Sequence, residues 1–174
     1  MHTLEAIFNR KSTRNYKQEQ LPENVLQVIL KAGFAAPVAM ANYGSLHITV
    51  VQNQDFLDKV NAVTEEALYK ITGEREKHDM GAKTLILISS TPVHRPGTEY
   101  TNVGIVMENM VLAATDLGVD SVILGAAPAA VAQDAALVRA LGIPDGYKPM
   151  LGVFFGYGAE ETLVSKHEIT VNRV

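Results

Sequence analysis

The chain has 174 residues, 47% of them hydrophobic and 20% charged, no cysteine, and a formal net charge of −4. That length suits one domain burying roughly 70% of the surface of its unfolded chain, and the lack of cysteine excludes disulfides, thiolate nucleophiles and cysteine-held zinc or iron–sulfur centres. An acidic balance without a Lys/Arg stripe, an absence of any apolar run near the ~18 residues that span a bilayer, and no charged-then-apolar leader pattern point away from nucleic acid and membrane and toward a cytoplasmic protein.

A short N-terminal helix with Leu4, Ile7 and Phe8 on one face runs into Arg10-Lys11-Ser12-Thr13-Arg14-Asn15-Tyr16. β-branched Thr13 and aromatic Tyr16 favour an extended backbone, and period-two alternation then projects Arg10, Ser12 and Arg14 to one side. Two guanidinium forks and a hydroxyl on one anion suit a phosphate monoester, because the fork matches phosphate oxygens bidentately and keeps its charge at any working pH. The plainer alternative is a solvated basic turn. Pro22, just inside a second helix, lets Val25, Leu26, Ile29 and Leu30 form an apolar stripe, with Gly33 close to the end.

Leu46 to Val51 reads as a strand with Leu46, Ile48 and Val50 on one face, and Thr84 to Ile88 as a strand buried on both faces. Between them, Gln54 to Ile71 carries Phe56, Val60, Val63, Ala67 and Ile71 at helical spacing and stops at Gly73, followed by a charged loop from Glu74 to Asp79. A helix from about Glu99 to Leu117, stopped by Gly118, carries apolar residues on more than one stripe. It is therefore either a central helix or one buried in a subunit interface, and the two are compatible. Ser121 to Leu124 is a short strand, Pro128 to Leu141 an alanine-rich helix ending at Gly142, and Met150 to Phe155 a further strand. The tail after Gly158 is polar and extended.

This order is α+β. A strand–GxGxxG–helix unit and a GxxxxGK[ST] loop are both absent, so neither a dinucleotide fold nor a P-loop is expected. His2, His47, His78, His94 and His167 are scattered without an HxxxH pair, which makes surface or loop positions the default and leaves no metal site. The serines lack a GxSxG elbow, and Glu65-Glu66 and Glu160-Glu161 read as solvated faces. With no reactive side-chain constellation, the chain has the profile of a protein whose cofactor carries the chemistry.

Met1 to Tyr16, of the form (M)-x-T-L-E-A-I-x-x-R-K-S-T-R-N-Y, resembles the opening of the FMN-dependent nitroreductase family, where a short helix runs into Arg-(Arg/Lys/His)-Ser-x-(Arg/Lys)-x-(Phe/Tyr). The resemblance implies a compact member with a central, mostly antiparallel sheet flanked by helices. It also implies an intertwined homodimer, with residues 1–174 forming one FMN-binding domain and residues 159–174 a C-terminal arm. Arg10, Ser12 and Arg14 would hold the flavin's phosphate, with Lys11 an additional contact.

Ala35 to His47 stands where the family has A-P-S-x-x-N-x-Q-P-W. Ala36-Pro37 is kept, Val38 replaces the serine, Asn42 is displaced by about one position, and Gly44-Ser45-Leu46 replaces Gln-Pro-Trp. Pro37, Val38, Ala39 and Asn42 are the implied contacts to the flavin ring and ribityl chain; an ordinary helix-to-strand loop is the alternative. Gly125 and Ala126 fall where backbone N–H groups would reach flavin N5, or form a plain strand-to-helix turn. Lys166, ahead of Arg173, is the implied late basic contact to the phosphate.

The resemblance implies electron transfer from NADH or NADPH through FMN to small electrophiles such as nitroaromatics or quinones, in two alternating steps and with no catalytic side chain. The alternative is a flavin-binding carrier or sensor with little turnover. A dimeric α+β protein whose basic cluster takes another phosphate ligand is a third reading.

Overall fold

The computed structural model describes residues 2–164 and 167–174. Its helices are α1 (Thr3–Asn9), α2 (Glu23–Phe34), α3 (Gln54–Thr72), α4 (Thr98–Asp116), α5 (Ala126–Val131) and α6 (Ala135–Ala140), and its strands are β1 (Leu46–Val51), β2 (Thr84–Ser90), β3 (Asp120–Leu124) and β4 (Lys148–Gly156). The strands form one sheet in the order β1-β2-β4-β3, antiparallel throughout. The starts of β1 and β4 and the ends of β2 and β3 therefore share one end of the sheet, where the loops before α4 and α5 also emerge.

Burial on both sheet faces follows from the continuous apolar run of β2, every residue of which is buried. One face carries Ile86, Ile88, Val153 and Phe155 against Val103, Met107, Met110 and Val111 of α4, with Leu26 and Ile29 of α2 in the same cluster. The opposite face carries Val51, Leu85, Leu87 and Phe154 against Leu57 and Val60 of α3 and Ala127 and Val131 of α5. Leu46, Ile48 and Val50 pack on the first of these faces, as the alternation predicts.

The broad apolar surface of α4 is explained within one chain by three neighbours: the sheet, α1 and α2. Gly33 allows the closest approach. A Cβ there would stand 2.8 Å from Met110 Cγ and 2.9 Å from its sulfur, so α2 passes through Gly33 to Phe34 without stopping. Pro22 sits at the cap of α2, one position before the helix.

Three expected details change. Leu4, Ile7 and Phe8 are 63%, 44% and 68% exposed, because α1 turns only Ala6 into the core. On α3, Ile71 is exposed and the buried positions are Leu57, Val60, Asn61 and Thr64, a face rotated from the one expected.

The alanine-rich segment is two helices, α5 and α6. Asp134 breaks it by adopting extended backbone and accepting the N–H groups of Ala136 at 3.0 Å and Leu137 at 2.9 Å. A carboxylate at this position satisfies two donors that have no partner within the helix. Asp134→Ala is expected to lower stability by about 1 kcal/mol in urea denaturation, and Asp134→Asn to keep most of it.

Candidate functional site

The segment from Arg10 to Tyr16 is held extended by bonds to distant parts of the chain. Thr13 N–H donates to the Ser121 carbonyl at 3.0 Å, and Ser12 bridges Ser121 in parallel along the outer edge of β3. Tyr16 N–H donates to Met80 at 3.0 Å and Lys17 N–H to Tyr157 at 2.8 Å, while Ala159 N–H returns to Asn15 at 2.9 Å. Thr13 and Tyr16 are buried anchors, and burial together with the Asp120 carboxylate raises the Tyr16 phenol far above its ordinary range.

Between these anchors, Arg10, Lys11, Ser12 and Arg14 line a cavity of about 260 Å³ with Thr162, Leu163 and His167. The expected grouping of Arg10, Ser12 and Arg14 is present. This volume lies below the ~300–1,000 Å³ of a pocket enclosing a whole small ligand, so the cavity is sized for a head group. Lys11 is shared, its Nζ lying 3.6 Å from Asp120 Oδ1. Neither Arg10 nor Arg14 enters an ion pair among the described residues, which leaves two permanent positive charges facing an anion-sized space.

His167, Thr162 and Leu163 join this cavity although no sequence pattern marked them. Lys166, the expected late basic residue, lies outside the described residues, and Arg173 is exposed in a tail without helix or strand among its described residues.

Gly125 and Ala126 follow β3 at the end opposite the Ser12–Ser121 bridge. The four steps from Ser121 to Gly125 span about 13 Å at the rise of a strand. A Cβ at Gly125 would meet nothing within 4 Å, so backbone there is open to close approach by a flat ligand.

The loop at Pro37 to Asn42 does not join the Arg10–Arg14 cavity. Pro37, Ala39 and Asn42 are exposed, whereas Val38 is buried in the core. Ala39, Met40, Ala41 and Asn42 instead wall a second cavity of about 530 Å³ with Val93, His94, Arg95, Thr98 and Asn102. Met40 and Ala41 hold φ of 57° and 52°, a left-handed conformation costing non-glycine residues about 1–3 kcal/mol each. Ala39 N–H fixes the loop by donating to Asn102 Oδ1 at 3.0 Å.

His78 lies in a loop, one of the two expected settings for the histidines, but not at the surface. It is buried, with Nδ1 3.3 Å from Asn61 Oδ1 and its ring against Phe154, and its backbone N–H donates to Glu65 at 2.8 Å. Burial holds the imidazole below its ordinary pKa against the opposing pull of Glu65 and Asp79. Glu65 is accordingly a partner of that loop and no merely solvated face. Among the described residues, no cluster of three or more potential ligands could hold a metal, and no helix is long and apolar enough to cross a membrane.

Residues 7–157 match the model of the Nitroreductase family. A Methanothermobacter thermautotrophicus protein with the provisional name NADH dehydrogenase/NAD(P)H nitroreductase is 29% identical over 92% of this chain and 79% of its own. A Bacteroides fragilis nitroreductase solved with bound FMN superposes with a TM-score of 0.82 at 28% identity, over 100% of this chain and 97% of that one. A Desulfitobacterium hafniense nitroreductase, also solved with bound FMN, gives a TM-score of 0.87 at 26% identity, over 99% of this chain and 100% of that one.

Proposed function

Because this chain belongs to the nitroreductase family, we propose that it is an FMN-dependent oxidoreductase taking electrons from NADH or NADPH to a small electrophilic acceptor such as a nitroaromatic or a quinone. The observation that carries this reading is the pair of guanidinium groups, Arg10 and Arg14, free of ion pairs among the described residues and lining an anion-sized cavity with Ser12. It agrees with the FMN reported in the two bacterial structures.

The residues present suit the cofactor at both ends. Arg10, Ser12 and Arg14 would bind its phosphate, Lys11 and His167 would add positive charge or donors, and Lys166 is proposed as the late basic contact. At the far end of β3, backbone N–H groups of Gly125 and Ala126 would lie against the flavin ring, with open space beside Gly125. When bound, FMN supplies a hydride acceptor at N5 that is reduced and reoxidised in turn, so the chain needs to bind, orient and shield rather than transfer a proton.

We assign Pro37, Val38, Ala39 and Asn42 to the flavin of a second copy, since within one chain Ala39 and Asn42 wall a different cavity from the one lined by Arg10, Ser12 and Arg14. Homodimer formation would cover exposed apolar residues that one chain leaves bare, among them Leu4, Phe8 and Phe34. We assign residues 1–174 to one FMN-binding domain with residues 159–174 as its arm, acting in the cytoplasm on small molecules.

Anaerobic absorbance spectra of the FMN-reconstituted protein test the reading. NADH or NADPH is expected to bleach the flavin band, and a nitroaromatic or quinone to restore it. A retained but unbleached flavin would favour a carrier or sensor, and failure to retain FMN would overturn the assignment.

A further inference from the structure

The cavity of about 530 Å³ falls within the ~300–1,000 Å³ range of small-molecule sites, and its lining divides by chemistry. Ala39, Met40, Ala41 and Val93 supply an apolar wall; His94, Arg95, Thr98 and Asn102 supply the polar one. That lining contains no Asp or Glu. Glu99, the nearest acidic residue in sequence, accepts the Gly97 N–H at 2.9 Å.

Arg95 enters no ion pair among the described residues. Asn102 is 2% exposed and its Oδ1 is committed to Ala39 N–H, which fixes the amide with its NH₂ as a donor, and that NH₂ makes no hydrogen bond to a described residue. The first turn of α4 opens into the same space at Thr98, with partial positive charge from its N–H groups. Met40, 92% exposed on its strained backbone, is a flexible and polarisable side chain of the kind that packs on rings.

We propose that this cavity binds a planar aromatic molecule carrying a carboxylate or phosphate group, with Arg95 and the Asn102 amide taking the anion and Met40 and Val93 the ring. Arg95 thereby determines which molecules are admitted. The inference rests on the redox reading for what the bound molecule does, since the loop that walls the cavity is the one assigned to the flavin ring. It does not rest on it for whether an anion binds. Two sources share this chemistry: an acidic acceptor, and the 2′-phosphate of the reductant.

Calorimetric titration of the full chain with FMN added distinguishes them. The probes are 4-nitrobenzoate against its neutral amide, and NADP⁺ against NAD⁺. In at least one pair the more anionic member is expected to bind about 10-fold tighter or more. Arg95→Ala is expected to abolish that preference with little effect on the less anionic member, and Arg95→Lys to restore part of it. Preference within the nitrobenzoate pair identifies the acceptor as the source, and preference within the dinucleotide pair the reductant. No preference in either pair, or a preference that survives Arg95→Ala, overturns the inference. Because binding is read without turnover, an FMN-loaded protein that lacks the preference rejects this inference alone, whereas loss of flavin reduction rejects the redox reading alone.

Discussion

Replacing Arg10 and Arg14 together by alanine is expected to raise the FMN dissociation constant by about 10²–10⁴-fold. Each guanidinium contributes charge-assisted hydrogen bonds worth roughly 1.5–3 kcal/mol, and 1.4 kcal/mol is about a tenfold change in affinity. Arg14 is the more exposed of the two, so water competes for it and Arg14→Ala alone falls toward the smaller figure. The fold is expected to survive, since the segment's anchors are backbone bonds at Thr13 and Tyr16 and neither arginine enters an ion pair among the described residues. Titration of apoprotein with FMN, beside a far-ultraviolet circular dichroism spectrum, separates the two effects. An unchanged affinity in the double variant would remove the cluster from the cofactor site.

The largest loss of stability is expected from Phe155→Ala. Phe155 is fully buried on β4, a strand paired on both sides, and faces the cluster formed by α2 and α4. Removing its ring deletes dispersion contacts and leaves a cavity that close-packed neighbours fill only in part, at a cost of about 3–5 kcal/mol. Against a total of about 5–15 kcal/mol, that is a fall in melting temperature of roughly 6–20 °C for a chain of this size. Phe155→Leu should cost visibly less. A loss below about 1 kcal/mol for Phe155→Ala in urea denaturation would mean that the site collapses around the missing ring.

Much of this architecture was legible because the signals were periodic. Continuous apolar character marked β2, alternation marked the inward face of β1, and the excess of apolar residues on α4 foretold its enclosure on several sides. The grouping of Arg10, Ser12 and Arg14 around one cavity was legible because they are close in sequence. Where local pattern competed with tertiary packing, the reading failed. Ile71 fits the helical period of α3 but is exposed in its last turn, beyond the buried positions Leu57, Val60, Asn61 and Thr64, and Asp134 interrupts a run of alanines whose propensity alone favours one helix. His167, Arg95 and Asn102 gave no signal because each meets cavity neighbours from far away in the chain. His78 is buried by Asn61 and Phe154, neither of which is a sequence neighbour.

The stitching of the segment from Arg10 to Tyr16 also sets a timetable. Asn15 is bonded to Glu160 across 145 residues and Thr13 to Thr162 across 149, and the carbonyl that receives the Thr13 N–H belongs to Ser121. Loops of that length close late in folding, because their entropy must be lost before their contacts form. On the ribosome the basic segment emerges well before its partners, and its set of bonds to Met80, Ser121 and residues 157–162 is complete only once the last of these has been made. An anion bound in that cavity would therefore find its full set of contacts only after both segments have been made, and would tie the two together.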